Sequence, residues 1–304
     1  MMNTFIDLHI HSTASDGSTA PEELIQVADA NVQEGLRTGQ LKEAPERIIL
    51  ALTDHDTTGG IQRMQESVRN RRDVRVIPGV EVSAECGEKE IHILGLGIDP
   101  ENAALNEALE FYRDGRRRRN RRILDKFEEL GIHIPEEELA ATEEEAVGRP
   151  HIARWLVRNG KVESVKEAFD RYLNVDRPCY FDREKIPQQE CMDLIRGAGG
   201  VSVLAHPMRY RFLTRPQLEA LLESLIGMGL QGIEAYYSRH TDEETAYLEH
   251  LAAQHHLIRT GGSDYHGVTK PDCALGLGMG NLAKTMDRVE VEKVLALAGH
   301  GRKL

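Results

Sequence analysis

Seven short apolar runs recur along the chain, and each of them ends in a cluster of polar residues. Their near-continuous apolar character is typical of parallel strands that are covered on both faces. Helical patterns such as DEETAYLEHLAAQHH separate most of the runs. Strands that alternate with helices predict βα units, and seven of them predict an α/β barrel. The runs are TFIDLHIH (4–11), IILALTDHD (48–56), VRVIPGVEVSAE (74–85), EIHILGLGID (90–99), GGVSVLAHP (199–207), GLQGIEAYYS (229–238) and LIRTGGSDYH (257–266).

Residues 101–179 interrupt this alternation. The segment is very polar, has helical patterns, and carries the arginine run RDGRRRRNRR and the glutamate-rich run PEEELAATEEEA. It shows no convincing strand before RPCYFD. We therefore expect a barrel built from residues 1–100 and 180–304, with residues 101–179 forming a helical insertion that caps one rim.

Charge and composition limit the classes of partner. A net charge of −12 argues against a surface built for long duplex nucleic acid, but leaves room for a small phosphorylated ligand or a strand end. No apolar run is long enough to cross a bilayer, and the amino terminus has no secretory pattern. The four cysteines show no CxxC spacing and are expected to be reduced. Together these features predict a cytoplasmic protein.

Histidines and acids stand where the predicted strands end, or in the loops that follow them. In a parallel barrel these ends share one face, so we expect the side chains to meet there. Imidazole and carboxylate ligands without thiolate suit Mn, Zn or Fe. Nine candidates exceed the four ligands of one tetrahedral ion, so the count predicts two or three metals, with Glu81 able to bridge two. The candidate ligands are His9, His11, Asp16, His55, Glu81, His92, His206, Asp264 and His266.

A structural role is the alternative for each of these residues. A single histidine at a strand end is more often a hydrogen-bonded core residue than a ligand. Here six of the 13 histidines occupy such positions. Buried imidazoles and carboxylates cost free energy unless they are paired or bound to metal, so the set as a whole favours a metal centre. Period two also predicts that Asp7 lies on the face of His9 and orients a ligating imidazole.

The motifs around these residues resemble those of the PHP (polymerase and histidinol phosphatase) family of metal-dependent phosphoesterases. The resemblance covers roughly residues 4–100 and 180–280. It is carried by DLHIHSTASDGS, ALTDHDT, GVEVSA, HILGLGI, LAHP and GGSDYHG.

This resemblance implies a distorted (β/α)₇ barrel of PHP type with a trinuclear centre. It implies one metal held by His9, His11, Glu81 and Asp264, a second by Glu81, His92 and His206, and a third by Asp16, His55 and His266. None of the nine positions is replaced, which disfavours a degenerate scaffold without activity.

A hydroxide that bridges two metal ions is a nucleophile at neutral pH, because the metals lower the pKa of water. We therefore expect in-line hydrolysis of a phosphate ester. Asp264 is the candidate to guide the proton of the nucleophile, and His206 the candidate to protonate the leaving group.

The insertion resembles that of the nucleotide-active subgroup, which includes 3′,5′-nucleoside bisphosphate phosphatases and exonucleases on short RNA. In VGRPHIARWLV, Arg149 stands at a predicted helix start, where guanidinium and free amides can take phosphate. Arg177 in VDRPCYF is a second candidate. For both, an ordinary exposed arginine is the open alternative. Ser238 and His240 in YYSRHTD are expected to contact the substrate from the loop after the sixth strand.

These features predict a phosphatase that releases the 3′-phosphate of a nucleoside 3′,5′-bisphosphate. A 5′-to-3′ exonuclease acting on short RNA or DNA is the first alternative, and a histidinol-phosphate phosphatase is the next. A metal-binding regulatory module without turnover represents a different class. The expected cofactor is two or three divalent metals, Mn before Zn or Fe, and the expected partner is a small phosphorylated substrate. Membrane and long duplex nucleic acid are not expected, and the oligomeric state stays open.

Overall fold

A single sheet contains all seven predicted strands in the computed structural model, which describes residues 3–139, 148–182 and 184–298. The main-chain NH of His11 donates to the carbonyl of Tyr265 at 2.9 Å, and that of Asp264 to the carbonyl of His9 at 2.9 Å. These bonds join the first strand to the segment after the last, so the sheet forms a nearly closed barrel and the predicted fold is confirmed. In order, the strands are β1 (Thr4–Ile10), β2 (Arg47–Leu52), β3 (Val74–Cys86), β4 (Lys89–Leu96), β5 (Val201–Leu204), β6 (Gly232–Tyr237) and β7 (Ile258–Gly262).

The direction of β4 differs from the prediction. It pairs antiparallel with both β3 and β5, whereas the other neighbouring strands are parallel. A short turn joins β3 to β4, and so short a connection can only join antiparallel strands. Because β4 is reversed, its beginning lies at the rim where the parallel strands end. His92, in the first half of β4 and opposite Ser83, is thereby brought to that rim.

Helices follow most of the strands along the chain, as the sequence predicts. They are α1 (Leu24–Thr38), α2 (Ile61–Ser67), α3 (Ala103–Glu129), α4 (Arg149–Arg158), α5 (Val165–Ala168), α6 (Gln188–Gly197), α7 (Arg215–Gly227), α8 (Asp242–Gln254) and α9 (Val291–Leu297). Among the described residues, no helix combines the length and the apolar character that crossing a bilayer requires.

The apolar residues of the strands account for the barrel core. Ile6 and Leu8 of β1, and Val201 and Val203 of β5, belong to one buried cluster. The cluster also includes Val294 of α9, which is fully buried. Burial of a side chain of this size contributes roughly 1.5–3 kcal/mol, so packing around β1 and β5 supports the rim on which the polar residues stand.

The chain divides into two compact units, Met1–Ala108 with Ile186–Leu304, and Leu109–Lys185. The second unit has its own apolar cluster, in which Phe127 and Ile152 are fully buried. Trp155 belongs to it and donates from Nε1 to Glu138 at 2.8 Å. No strand is formed over the described part of RPCYFD. The assignment of residues 101–179 as a helical insertion that caps one rim of the barrel stays a prediction.

Glu290 should stabilise the barrel in a pH-dependent manner. It accepts hydrogen bonds from the main-chain NH of Arg259 at 2.9 Å and from Lys293 at 2.5 Å. Burial opposes its ionisation, but the bonds from Arg259 and Lys293 outweigh this effect and lower its pKa to about 2. The stabilisation is therefore complete above the ordinary glutamate pKa and is lost as the pH falls towards the folded value.

We expect Glu290→Gln to lower the free energy of unfolding by about 1 kcal/mol at neutral pH, because the ion pair is partly exposed. The difference from the parent protein should shrink as the pH falls below about 5. Urea unfolding at several pH values measures it, with the exposed Glu223→Gln as control. A difference that does not depend on pH would contradict this role.

Candidate metal centre

The nine predicted ligands meet at the carboxyl ends of the parallel strands. Their ligand atoms form four groups, in each of which the atoms lie within 4.8 Å of one another. Every predicted ligand belongs to at least one group, and four residues, His9, His11, His55 and Glu81, each occur in two. The groups are His11, Asp16, His55 and His266; His9, His11 and Asp264; His9, Glu81 and His206; and His55, Glu81 and His92.

Glu81 lies between the imidazoles and uses both carboxylate oxygens. Its Oε1 is 2.9 Å from Nδ1 of His92 and 2.9 Å from Nε2 of His206. Its Oε2 contacts Nε2 of His9 at 3.2 Å, Nε2 of His11 at 3.1 Å and Nδ1 of His55 at 3.1 Å. The carboxylate is fully buried and faces ligands of two groups, as a bridging acid would.

The two carboxylate oxygens of Asp264 have different partners: Oδ1 faces imidazoles, and Oδ2 accepts hydrogen bonds from two other side chains. Oδ1 is 3.3 Å from Nε2 of His11 and 3.3 Å from Nδ1 of His266. Oδ2 accepts hydrogen bonds from the hydroxyl of Tyr237 at 2.8 Å and from Nζ of Lys270 at 2.6 Å. Burial opposes the charge, but Lys270 and His11 outweigh it and hold the pKa of Asp264 well below its usual range. Asp264 is therefore ionised, with one oxygen presented to the centre.

Several buried polar atoms of the cluster lack hydrogen bonds. Among the described residues, no partner of acceptable geometry is present for Nδ1 of His11, His55 and His206, or for Oε2 of Glu81. An unsatisfied buried polar atom costs about 1–3 kcal/mol, so an apolar or merely packed site would not retain so many. Imidazole and carboxylate atoms left in this state fit divalent cations as their missing partners.

Burial and neighbouring charges move the imidazole pKa values in opposite directions. Burial lowers the pKa of His55 to about 3, so its ring is neutral and able to bind a metal. For His11 burial also lowers the pKa, but its contacts with Asp264 and Glu81 outweigh this and raise it to about 9. A cation at His11 would replace the proton that these acids otherwise attract.

Glu234 contacts two of the predicted ligands and was not predicted from the sequence. It lies on β6, fully buried, and accepts a hydrogen bond from Nδ1 of His9 at 3.0 Å and from the main-chain NH of His206 at 2.7 Å. With Nδ1 engaged, His9 presents Nε2 to Glu81 and His11. A single acid within the apolar run GIEAYY was the available signal.

The expectation that Asp7 orients an imidazole was wrong. None of the hydrogen bonds that Asp7 makes with described residues reaches an imidazole ring. Asp7 instead accepts bonds from the NH of Ser263 at 2.9 Å, from its hydroxyl at 2.5 Å, and from the NH of Gly276 at 2.7 Å. It also accepts from the main-chain NH of His9 at 3.2 Å, so it holds the loops after β7 and the backbone of this ligand, but not its ring.

Glu234 should raise the metal affinity of the centre without being a ligand itself. We expect Glu234→Gln to reduce metal affinity and phosphate release by about 10–100-fold, because such partners of ligating histidines typically contribute this much. Glu249→Gln is the matched control, since Glu249 bonds the neighbouring Tyr236 of β6 at 2.7 Å outside the centre. Metal titration of both variants measures the effect; equal affinity in the two would contradict the role.

Two of the predicted ligands have strained backbones. His206 has a φ of 29° and Asp264 a φ of 56°, in the left-handed region that favours glycine. Such a conformation costs about 1–3 kcal/mol at a non-glycine residue and concentrates at functional sites. Each is the second residue after the end of its strand, β5 for His206 and β7 for Asp264, so the strain accompanies the turn of these side chains into the centre.

A cavity of about 360 Å³ opens onto the cluster. Its volume falls within the usual range of small-molecule sites. Besides five of the predicted ligands and Tyr237, it is lined by three cationic side chains, Arg209, Arg239 and Lys270. These three were not predicted, although Arg239 stands between Ser238 and His240 in a loop that was expected to contact the substrate.

Ser238 and His240 are placed away from this cavity's lining. The hydroxyl of Ser238 donates to the carbonyl of Ser263 at 2.7 Å. His240 is buried, with Nδ1 3.3 Å from the carbonyl of Ala235, and Nε2 has no partner among the described residues. A contact of either residue with substrate stays a prediction.

Arg149 and Arg177 belong to the second unit. Arg149 is the first residue of α4, donates from Nη1 to the carbonyl of Leu173 at 3.2 Å, and stacks 5.2 Å from the ring centre of Tyr180. The main-chain NH of Arg177 donates to the carbonyl of Asn174 at 3.0 Å. Phosphate binding by these arginines stays a prediction.

Known proteins resemble this chain over most of its length, although no family model matches it. It is 36% identical to a 3′,5′-nucleoside bisphosphate phosphatase of Chromobacterium violaceum, over 86% of this chain and 87% of that protein. It is 35% identical to the 5′-3′ exoribonuclease Rnm of Salmonella typhimurium, over 86% of this chain and 84% of that protein.

A solved structure supports the same relationship. A protein of Bifidobacterium adolescentis, described as a metal-dependent phosphoesterase, matches with a TM-score of 0.71 and 29% identity, over 97% of this chain and 96% of that one. The cluster of candidate metal ligands in this barrel is consistent with the phosphoester hydrolysis for which these relatives are named. The protein is a hydrolase that acts on phosphoric ester bonds, and the chain belongs to the PHP family of metal-dependent phosphoesterases.

Proposed function

We propose that this enzyme hydrolyses the phosphate monoester of a small nucleotide, and that its substrate is the 3′-phosphate of a nucleoside 3′,5′-bisphosphate. The observation that carries the proposal is the meeting of nine ligand side chains beside a cavity with cationic walls. Cationic side chains at the cavity suit a phosphorylated substrate. A relative of 36% identity is named for this activity. We also propose that the enzyme acts in the cytoplasm.

The donor set fits two or three divalent metals, and Mn is the proposed ion, with Zn or Fe as alternatives. Bound divalent cations would supply a hydroxide nucleophile at neutral pH and neutralise the oxygens of the phosphoryl group. The residues proposed to hold them are His9, His11, Asp16, His55, Glu81, His92, His206, Asp264 and His266.

Asp264 and His206 are the residues proposed to handle protons. Asp264 is ionised and has Oδ2 occupied by Tyr237 and Lys270, so Oδ1 is the atom available to accept the proton of the nucleophile. His206 has Nε2 against Glu81 at 2.9 Å and Nδ1 without a partner among the described residues. Nδ1 is thus the atom proposed to donate to the leaving oxygen.

Product identification tests the proposal. The enzyme is incubated with Mn²⁺ and either adenosine 3′,5′-bisphosphate or a 5′-phosphorylated oligoribonucleotide, and the products are separated by chromatography. Adenosine 5′-monophosphate and inorganic phosphate from the first substrate, with the oligomer left intact, are expected. No phosphate release from the bisphosphate would overturn the proposal.

A 5′-to-3′ exonuclease is the second candidate, because relatives of similar identity are named exoribonucleases. The same assay distinguishes it. Successive release of mononucleotides from the 5′ end of the oligomer, faster than phosphate release from the bisphosphate, would favour the exonuclease.

Metal removal should abolish activity reversibly. We expect dialysis against a chelator to lower phosphate release at least about 100-fold, because the nucleophile and the charge neutralisation both depend on the cations. Addition of Mn²⁺ should restore the rate. Full activity after chelation, with metal removal verified by elemental analysis, would contradict the account.

A further inference from the structure

Two of the three cationic side chains at the cavity are already paired. Nζ of Lys270 is 2.6 Å from Oδ2 of Asp264. Nη2 of Arg239 is 2.7 and 2.9 Å from the two carboxylate oxygens of Asp272. The charge of each is thus largely balanced by a carboxylate of the barrel, so neither is free to balance a second anionic group on the substrate.

Arg209 differs from these two. Its side chain lines the same cavity as His92 and His206, is exposed, and forms no ion pair with the described residues. A cation left unpaired at the mouth of a site that receives phosphate esters is a ready partner for an anion. The guanidinium group also matches the paired oxygens of a phosphate better than an ammonium group does.

The position of Arg209 is fixed by its neighbours. Its main-chain NH donates to the carbonyl of His206 at 2.9 Å, in the turn Pro207–Arg209 that follows this ligand. The next residue, Tyr210, is buried, and its hydroxyl donates to the carbonyl of Ala205 at 2.9 Å and accepts from the NH of His92 at 2.8 Å. The backbone of Arg209 is therefore held close to two predicted ligands. It follows His206 by three residues, and the next residue, Tyr210, binds the main chain of His92.

We propose that Arg209 binds the phosphate group of the substrate that is not cleaved. The cleaved phosphate would occupy the ligand cluster, while the second phosphate, at the other end of the same sugar, would pair with the guanidinium. This inference rests on the proposed function, since only a substrate with a second phosphate can use Arg209 in this way. Arg209 would thus make the enzyme prefer nucleotides with two phosphate groups to nucleotides with one.

The test compares two substrates that differ only in the second phosphate. Values of kcat/KM are measured for adenosine 3′,5′-bisphosphate and for adenosine 3′-monophosphate, with Mn²⁺, in the parent enzyme, R209M, R209K and R211M. Arg211 is the matched control, because it is exposed in the same loop but does not line the cavity. Thermal unfolding verifies that each variant is folded.

We expect the parent enzyme to prefer the bisphosphate, and this preference to fall at least about tenfold in R209M, which loses a charge-assisted bond. R209K should keep part of the preference, and R211M all of it. An equal loss of kcat/KM on both substrates would show that Arg209 contacts the cleaved phosphate. No loss on either substrate would show that Arg209 contacts neither phosphate group. Each of these results overturns the inference about Arg209 and leaves the proposed function standing. A parent enzyme inert on both substrates would instead overturn the proposed function, and the inference with it.

Discussion

Replacing Glu81 by glutamine is expected to reduce phosphate release by about 1000-fold. The substitution removes a negative charge that faces five imidazoles and presents an amide NH₂ to some of them. A loss of about 4 kcal/mol of transition-state stabilisation corresponds to this factor. Because Glu81 occurs in two of the four ligand groups, its loss should also lower the number of metal ions bound. Steady-state phosphate release with added Mn²⁺ measures the effect.

Glu85→Gln provides the matched control for this substitution. Glu85 lies further along the same strand, is exposed, and makes its hydrogen bonds through the main chain to Ile186 and Gln188. This variant should keep the parent rate. An E81Q protein that stays within tenfold of the parent rate and keeps its metal content would show that Glu81 is not a ligand.

Gly262→Ala is expected to damage both stability and activity. A Cβ at Gly262 would lie 2.3 Å from Cβ of His9 and 2.5 Å from its main-chain nitrogen. Backbone atoms cannot move aside cheaply, so β1 and β7 must separate, which should lower the free energy of unfolding by roughly 3 kcal/mol. The shift acts on a predicted ligand, and a displacement of about 1 Å at a reacting centre can reduce the rate about 100-fold.

Gly227→Ala is the control for added volume. Gly227 is the last residue of α7, and a Cβ there would meet no atom within 4 Å. Alanine is also the better helix former, by up to about 1 kcal/mol, so this variant should be at least as stable as the parent. Calorimetry and phosphate release compare the two variants. A G262A protein with parent stability and rate would mean that β1 and β7 do not approach this closely.

The strands and the ligand cluster were predictable because both depend on local patterns. Apolar runs that end in histidine or acid mark strand ends, and parallel strands bring such ends together. The position of His92 at the predicted site has a cause that the pattern of apolar runs does not show. Its strand is antiparallel, and only for that reason does a residue in the first half of β4 lie beside residues that follow other strands.

Contacts between distant segments could not be predicted in the same way. Glu234 meets His9 across 225 positions of sequence, because closure of the barrel brings β6 within reach of β1 although β7 lies between them. The error over Asp7 has a similar origin, because its carboxylate bonds Ser263 and Gly276, which lie 256 and 269 positions away in sequence. Arg209, in an exposed turn, carried no sequence signal that separates it from Arg211.

Metal content measured on the purified enzyme tests the central claim most directly. After incubation with Mn²⁺ and removal of the free ion, elemental analysis should find two to three transition-metal ions per chain, and clearly fewer in His9→Ala and Glu81→Gln proteins that remain folded. Fewer than one ion per chain in a fully active preparation would contradict the claim that these imidazoles and carboxylates form a shared metal centre.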